Sequence, residues 1–252
     1  GSIDGVHFFI QESEKELDEL SGLDSAISSL EFDKNHLKSR YQKYADQLHS
    51  IRMKYSNKIG SKIENEMALL NMAGAKFEVQ IKQQNDSGSP IVYEGQPVKY
   101  GPKGYDQVAF FLSANPGELP KPLTKIASGG EVSRIMLAIK SVLKKYDPVD
   151  TLIFDEIDSG ISGQAAEKVS EALEKLSKDK QVICITHLPQ IASRADHHLY
   201  IHKSIHEEKT SVTARYLNDE EKLKAIAELF SGEIVTREGL TSAQQFMDQV
   251  RG

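Results

Sequence analysis

Cysteine is almost absent from this sequence of 252 residues: Cys184 stands alone, so no internal disulfide can form. Lying inside the apolar run 182–185, it reads as a core thiol. No stretch reaches 18 apolar residues and no leader-peptide pattern occurs, so the chain is expected to be soluble and cytoplasmic, without a membrane partner. An excess of basic charge is missing too. Lysine and arginine total 31 against 37 acids, a formal net charge of −6, which argues against a body coated in nucleic acid and confines any such contact to a local surface. There is no internal repeat and no low-complexity tract. Nor does any G-x-x-x-x-G-K-S/T run occur. Gly101-Pro-Lys-Gly104 comes nearest but lacks the spacing and the strand-to-helix setting, so nothing here is expected to cradle the α and β phosphates of a nucleotide.

What is present divides into an arm and a body. At 39% hydrophobic and 27% charged residues, the chain can form one substantial core with an extended appendage. Apolar residues at Ile10, Leu17, Leu20, Leu23, Ile27 and Leu30 fall close to the three-four spacing of a coiled-coil seam, weakened at Ser21-Gly22. After Glu31-Phe-Asp-Lys-Asn35 a second pattern begins: Leu37, Tyr41, Tyr44, Leu48, Ile51, Tyr55, Ile59 and Ile63. With Asp33 as its N-cap, this helix is predicted to run about 35 residues, roughly 50 Å. Two helices joined at 31–35 make an antiparallel hairpin, an arm of residues 1–74 against a body of 75–252. Residues 12–24 hold six acids and one base, Lys15, whereas residues 34–62 hold eight lysines and arginines and one acid, Asp46. Either the two helices attract each other through these faces, or the basic helix tracks DNA phosphates.

The body alternates strand and helix patterns. Lys76-Phe-Glu-Val-Gln-Ile-Lys82 alternates apolar and polar residues and is predicted to be a half-buried strand, as is 107–112 after a glycine- and proline-rich stretch. Thr151-Leu-Ile-Phe154 reads as a strand apolar on both faces, as parallel strands are. A helix at 164–177 and a strand at 182–186 follow, so both strands are expected to end at the carboxyl edge of one sheet, where ligands bind in such folds. Strands at 198–202 and 211–217 and helices at about 219–230 and 241–250 complete the chain.

Three stretches carry chemistry. Ser128, Gly129 and Gly130 precede a helical pattern (Val132, Ile135, Met136, Ile139, Val142, Leu143). A hydroxyl, free N–H groups and the positive end of a helix dipole then meet where no Cβ holds an anion away, a place for phosphate. The strand at 151–154 ends in Asp155-Glu156. Asp155 is the candidate to hold Mg²⁺ through water, and Glu156 the candidate base for an attacking water. The next strand ends in His187, a residue that standing alone is more often structural. Asp196, His197 and His198 are adjacent, but the geometry of neighbouring strand residues is poor for a metal and no cysteine assists.

In this order the three stretches resemble the signature motif, Walker B, D-loop and H-loop of the C-terminal lobe of ABC-type ATPases. The finer spelling, Ala127-Ser-Gly-Gly-Glu-Val-Ser-Arg134, Phe154-Asp-Glu-Ile-Asp-Ser-Gly-Ile-Ser-Gly163 and Thr186-His-Leu-Pro-Gln-Ile-Ala192, is similar to that of the RecN family, bacterial SMC-like ATPases of DNA repair. The resemblance is dense over about 105–200. It implies an α/β C-terminal lobe of an ABC/SMC-type P-loop ATPase head with a coiled-coil stub. By the same resemblance Ser128, Gly129, Gly130 and Glu131, with Asp158, Ser159 and Ser162 of the D-loop, serve ATP and the interface with a second head. Asp155 (Mg²⁺), Glu156 and His187 serve the nucleotide of their own head. The partners implied are an N-terminal P-loop lobe ahead of the arm, a second head joined through ATP, and DNA near the bacterial nucleoid. Gly1-Ser2 has the look of a cloning scar, and the chain is expected to begin after the P-loop lobe. The competing reading is a non-catalytic module that dimerises or binds DNA as a scaffold; a transporter subunit is disfavoured by the arm.

Overall fold

The computed structural model describes residues 2–126, 128–206, 209–232 and 235–251. Helix α1 runs unbroken from Ile3 to Leu69, 67 residues, or about 100 Å at 1.5 Å per residue. The turn expected at 31–35 is not formed, so the antiparallel hairpin is corrected to a single helix. The cause lies in the sequence. The segment holds neither glycine nor proline, and its residues each cost a helix only tenths of a kcal/mol, roughly 0.7 at most. The apolar seam also keeps register through it, because Leu23, Leu30, Leu37, Tyr44 and Ile51 recur every seven residues. All five are more than half exposed, at 54–67%.

The chain forms two units, residues 1–56 with 80–109 and residues 57–79 with 110–252. In the first, Ala45 of α1 packs with Ile91, Val98 and Tyr105, flanked by Tyr41 and Tyr93. Strands β2 (Val92–Tyr93) and β3 (Gln96–Pro97) form a tight antiparallel pair. Its turn places Glu94 and Gly95 at φ 49° and 78°, the left-handed geometry that short hairpins need. Beneath it Asp106, its side chain 1% exposed, accepts hydrogen bonds from His49 Nδ1 (2.8 Å), Arg52 Nη1 (3.0 Å) and Gln83 Nε2 (2.9 Å). Burial alone would raise its pKa. The bonds from Arg52, His49 and Gln83 outweigh that and hold the carboxyl below its usual range.

A three-stranded sheet has the order β1-β4-β5, with β1 Lys76–Gln83, β4 Asp106–Ser113 and β5 Lys121–Pro122. In the second unit α2 (Gly129–Leu143), β6 (Thr151–Phe154), α3 (Gly163–Ser177), β7 (Gln181–Cys184) and the short α4 (Pro189–Ala192) follow one another. Strands β6 and β7 pair in parallel, Thr151 with Gln181 through Phe154 with Cys184. Buried Ile63, Met67 and Leu70 from the end of α1 join Ile135, Leu137, Leu152, Phe154, Val169 and Leu173 in one core. The parallel pair is covered on one face only. Leu152 and Phe154 are buried, whereas Ile153, Ile183 and Ile185 are 67, 46 and 56% exposed, so the strand read as apolar on both faces has its second face bare. The hairpin β8 (Leu199–His206) and β9 (Lys209–Tyr216) and the helices α5 (Asp219–Ser231) and α6 (Arg237–Arg251) close the chain, the two helices sharing a core of Ile226, Ala227, Ala243 and Met247.

Candidate active site

The site is built where the start of α2 meets the carboxyl edge of β6 and β7. Ser128 caps α2: its backbone is extended and its Oγ accepts from the N–H of Glu131 at 3.4 Å. One turn on, Ser133 Oγ donates to the carbonyl of Asp155 at 2.6 Å, which ties the helix to the strand end. Strand β6 stops at Phe154. Asp155 turns one carboxylate oxygen back onto the N–H of Glu156 at 2.9 Å and leaves the other to solvent. Glu156 adopts φ 55°, a left-handed conformation that costs a non-glycine residue about 1 kcal/mol or more and gathers at functional turns.

That turn brings Glu156 against the helix opening. A Cβ placed on Gly129 would lie 2.0 Å from Glu156 Oε2, and one on Gly130 would lie 2.8 Å from Ser159 Cβ and 3.0 Å from the Glu156 carbonyl. Gly130 is therefore required within the chain itself, to let the backbone of the loop after β6 approach α2, whereas at Gly129 the neighbour is the mobile carboxylate of Glu156. Sequence reasoning had assigned them only to an incoming anion. In the described state the Glu156 carboxylate stands beside the helix end that would attract a phosphate.

Asp158 is 4% exposed, and its Oδ2 is committed within the chain. It accepts from Thr186 Oγ1 (2.6 Å) and the N–H of His187 (2.9 Å), and pairs with His187 Nδ1 at 3.1 Å. That contact leaves Nε2 of an imidazole whose side chain is 75% exposed facing outward. Ser159 and Gly160 lie exposed at the surface, and Ser162 is the N-cap of α3 without a side-chain bond. The structure thus brings Ser128, Gly129, Gly130, Glu131, Asp155, Glu156, Asp158, Ser159 and His187 to one edge. Away from it, His198 Nε2 donates to the Ala192 carbonyl at 2.7 Å, and burial holds the imidazole below its usual pKa. Two contributors were missed in the sequence, Ser133 and Arg134. They lie within the signature stretch, but nothing in a linear pattern says that their side chains point at the residues after β6.

Over 90% of its length the chain matches the crystal structure of an Smc head domain with a coiled coil and joint from Pyrococcus yayanosii, with a TM-score of 0.54 at 18% identity, covering 39% of that chain. The fold is that of the SMC head-domain class. Within it the chain belongs to the RecN family: it is 35% identical over 251 residues to DNA repair protein RecN of Bacillus subtilis, and 34% identical over 247 residues to that of Halalkalibacterium halodurans. It spans 98% of its own length in both matches but only 43 and 42% of those relatives. No family model matches the sequence.

Proposed function

We propose that this chain is the C-terminal lobe of a RecN-type ATPase head, with residues 1–74 as a coiled-coil stub and 75–252 as the lobe, acting in DNA double-strand break repair and recombination. The observation that carries the reading is the single edge at which β6, β7 and the start of α2 place two carboxylates, a histidine and a capped helix end. The residues fit Mg²⁺ and ATP: Asp155 keeps one carboxylate oxygen free at an exposed strand end, suited to a hydrated Mg²⁺. Bound ATP supplies the scissile anhydride and its negative charge. Glu156 accepts the proton of the attacking water, and His187 Nε2 orients that water while Asp158 holds the ring from behind. Ser128, Gly129, Gly130 and Glu131, with Ser159, face the nucleotide of a second head. Glu156 and a phosphate cannot share the end of α2, so its carboxylate swings away when the heads close.

Two bare apolar surfaces support the missing parts of the assembly. Ile153, Ile183 and Ile185 offer a sheet face for a P-loop lobe to cover, and the heptad row on α1 offers a seam for the other half of an arm. ATP-driven closing and opening of two such heads would grip and release DNA. The test is Glu156→Gln in the complete protein. We expect hydrolysis to fall by about a hundredfold or more with ATP affinity retained, and longer-lived head dimers, because the substitution also removes the charge that competes for the end of α2. Unchanged turnover at saturating ATP would refute the role of Glu156.

A further inference from the structure

Arg134 lies in the second turn of α2 and is 8% exposed. No carboxylate lies within 4 Å of its guanidinium among the described residues. Nη1 instead donates to two backbone carbonyls, Ile157 at 3.2 Å and Ser159 at 2.8 Å, while Nε is buried without a partner. Burial pulls its pKa down, opposed by the charge of Glu131. A buried cation in direct contact with no carboxylate, its opposite charge on Glu131 acting only from farther off, is a costly way to fill space, since an apolar side chain of that length packs without the desolvation penalty. The charge therefore calls for a reason other than packing.

The reason is where the two carbonyls lie. They flank Asp158, whose carboxylate holds Thr186 and His187. A continuous series of bonds thus runs from α2, through Arg134 and the backbone on both sides of Asp158, to the imidazole of His187. Gly130 closes the same joint from the other side, with room for no Cβ against Ser159.

We infer that Arg134 is a positioning residue that locks the loop 157–159, and through Asp158 the histidine His187, to the signature helix, so that engagement of α2 by a partner head's nucleotide is transmitted to the histidine serving its own head. This rests on the ATPase reading above, in which the signature serves one nucleotide and His187 another. Arg134 touches neither nucleotide; it couples the two sites.

The test compares Arg134→Met, Arg134→Lys and Glu156→Gln in the complete protein, reading kcat, KM for ATP, the Hill coefficient and the melting temperature. Arg134→Met is expected to lower kcat by about tenfold with KM changed less than about twofold, and to bring a Hill coefficient above 1 down to 1. Arg134→Lys keeps charge and reach but not the planar fork, and should recover part of both. A folded Arg134→Met protein with normal kcat and cooperativity overturns the inference, as does one whose loss lies wholly in KM. If the methionine variant does not fold, Arg134→Lys is combined with Asp158→Asn. Because both cut one series of bonds, the double variant should be no worse than the poorer single one, and additive losses overturn the inference. Glu156→Gln separates the two claims: hydrolysis that survives it removes the ATPase reading, whereas its loss beside wild-type behaviour of the Arg134 variants removes only the coupling.

Discussion

Cys184 shows how the fold sets the chemistry of a single side chain. Burial first, and then the charges of Asp158 and Asp155, push its pKa up to about 12, so at pH 8 only about one thiol in ten thousand is ionised. We expect alkylation by iodoacetamide to be about a thousandfold slower in the native protein than in denaturant; comparable rates would contradict the geometry. Gly130 is the opposite case, a residue whose value lies in what it lacks. An alanine methyl would press on Ser159 and on the Glu156 backbone at 2.8–3.0 Å, and neither can retreat without moving the loop after β6. Gly130→Ala should therefore destabilise the protein by about 1–3 kcal/mol, seen as a lower melting temperature. A neutral substitution would mean that the loop is not held against α2.

At the scale of the element, α1 is the chain's largest departure from its sequence reading. Acidic residues ahead of 31–35 and basic residues beyond it suggested two helices attracting each other, but on one continuous helix those charges point along a single rod. Local propensity did not oppose continuation, and the seven-residue repeat carried the seam across. Within the first unit α1 is fixed to the start of β4 by the bonds that His49 and Arg52 make to Asp106, and Gln83 of β1 adds a third. The folded carboxyl has a depressed pKa, so its stabilising contribution is present above the unfolded value near about 3.9 and is lost as pH falls through the lower folded value. Asp106→Asn should cost about 2 kcal/mol near neutrality and flatten the acid limb of the stability curve. Equilibrium unfolding between pH 2 and 7 would measure both; an acid limb of unchanged slope would show that Asp106 does not carry it.

At the scale of the whole molecule, the roles proposed for the site residues presuppose a phosphate already held in place. With no P-loop motif in the sequence, the chain by itself is expected to bind Mg-ATP weakly and not to hydrolyse it. Calorimetry on the chain alone checks this. Micromolar affinity, with turnover abolished by Glu156→Gln, would reveal a phosphate cradle that the sequence does not show. A separately made P-loop lobe should restore turnover and protect Ile153, Ile183 and Ile185 from solvent, readable as slowed amide exchange on β6 and β7.

The sequence by itself determined the elements of the body and the identity of the chemical groups. Apolar runs ended in Asp155-Glu156 and in His187, and serine with two glycines opened a helix; each is a local matter of period, capping and backbone freedom, which neighbouring residues suffice to set. Tertiary structure alone decided which groups meet. That Gly129 makes room for Glu156, that Asp158 faces inward to His187 rather than out to a partner, and that Arg134 spends its charge on two carbonyls all depend on packing between α2 and the β6 edge. These contacts join residues about 20 to 30 positions apart in sequence, where a helical or strand period carries no information about direction. In α1 both the heptads and the absence of glycine and proline at 31–35 were legible, and the helix continues with its seam bare.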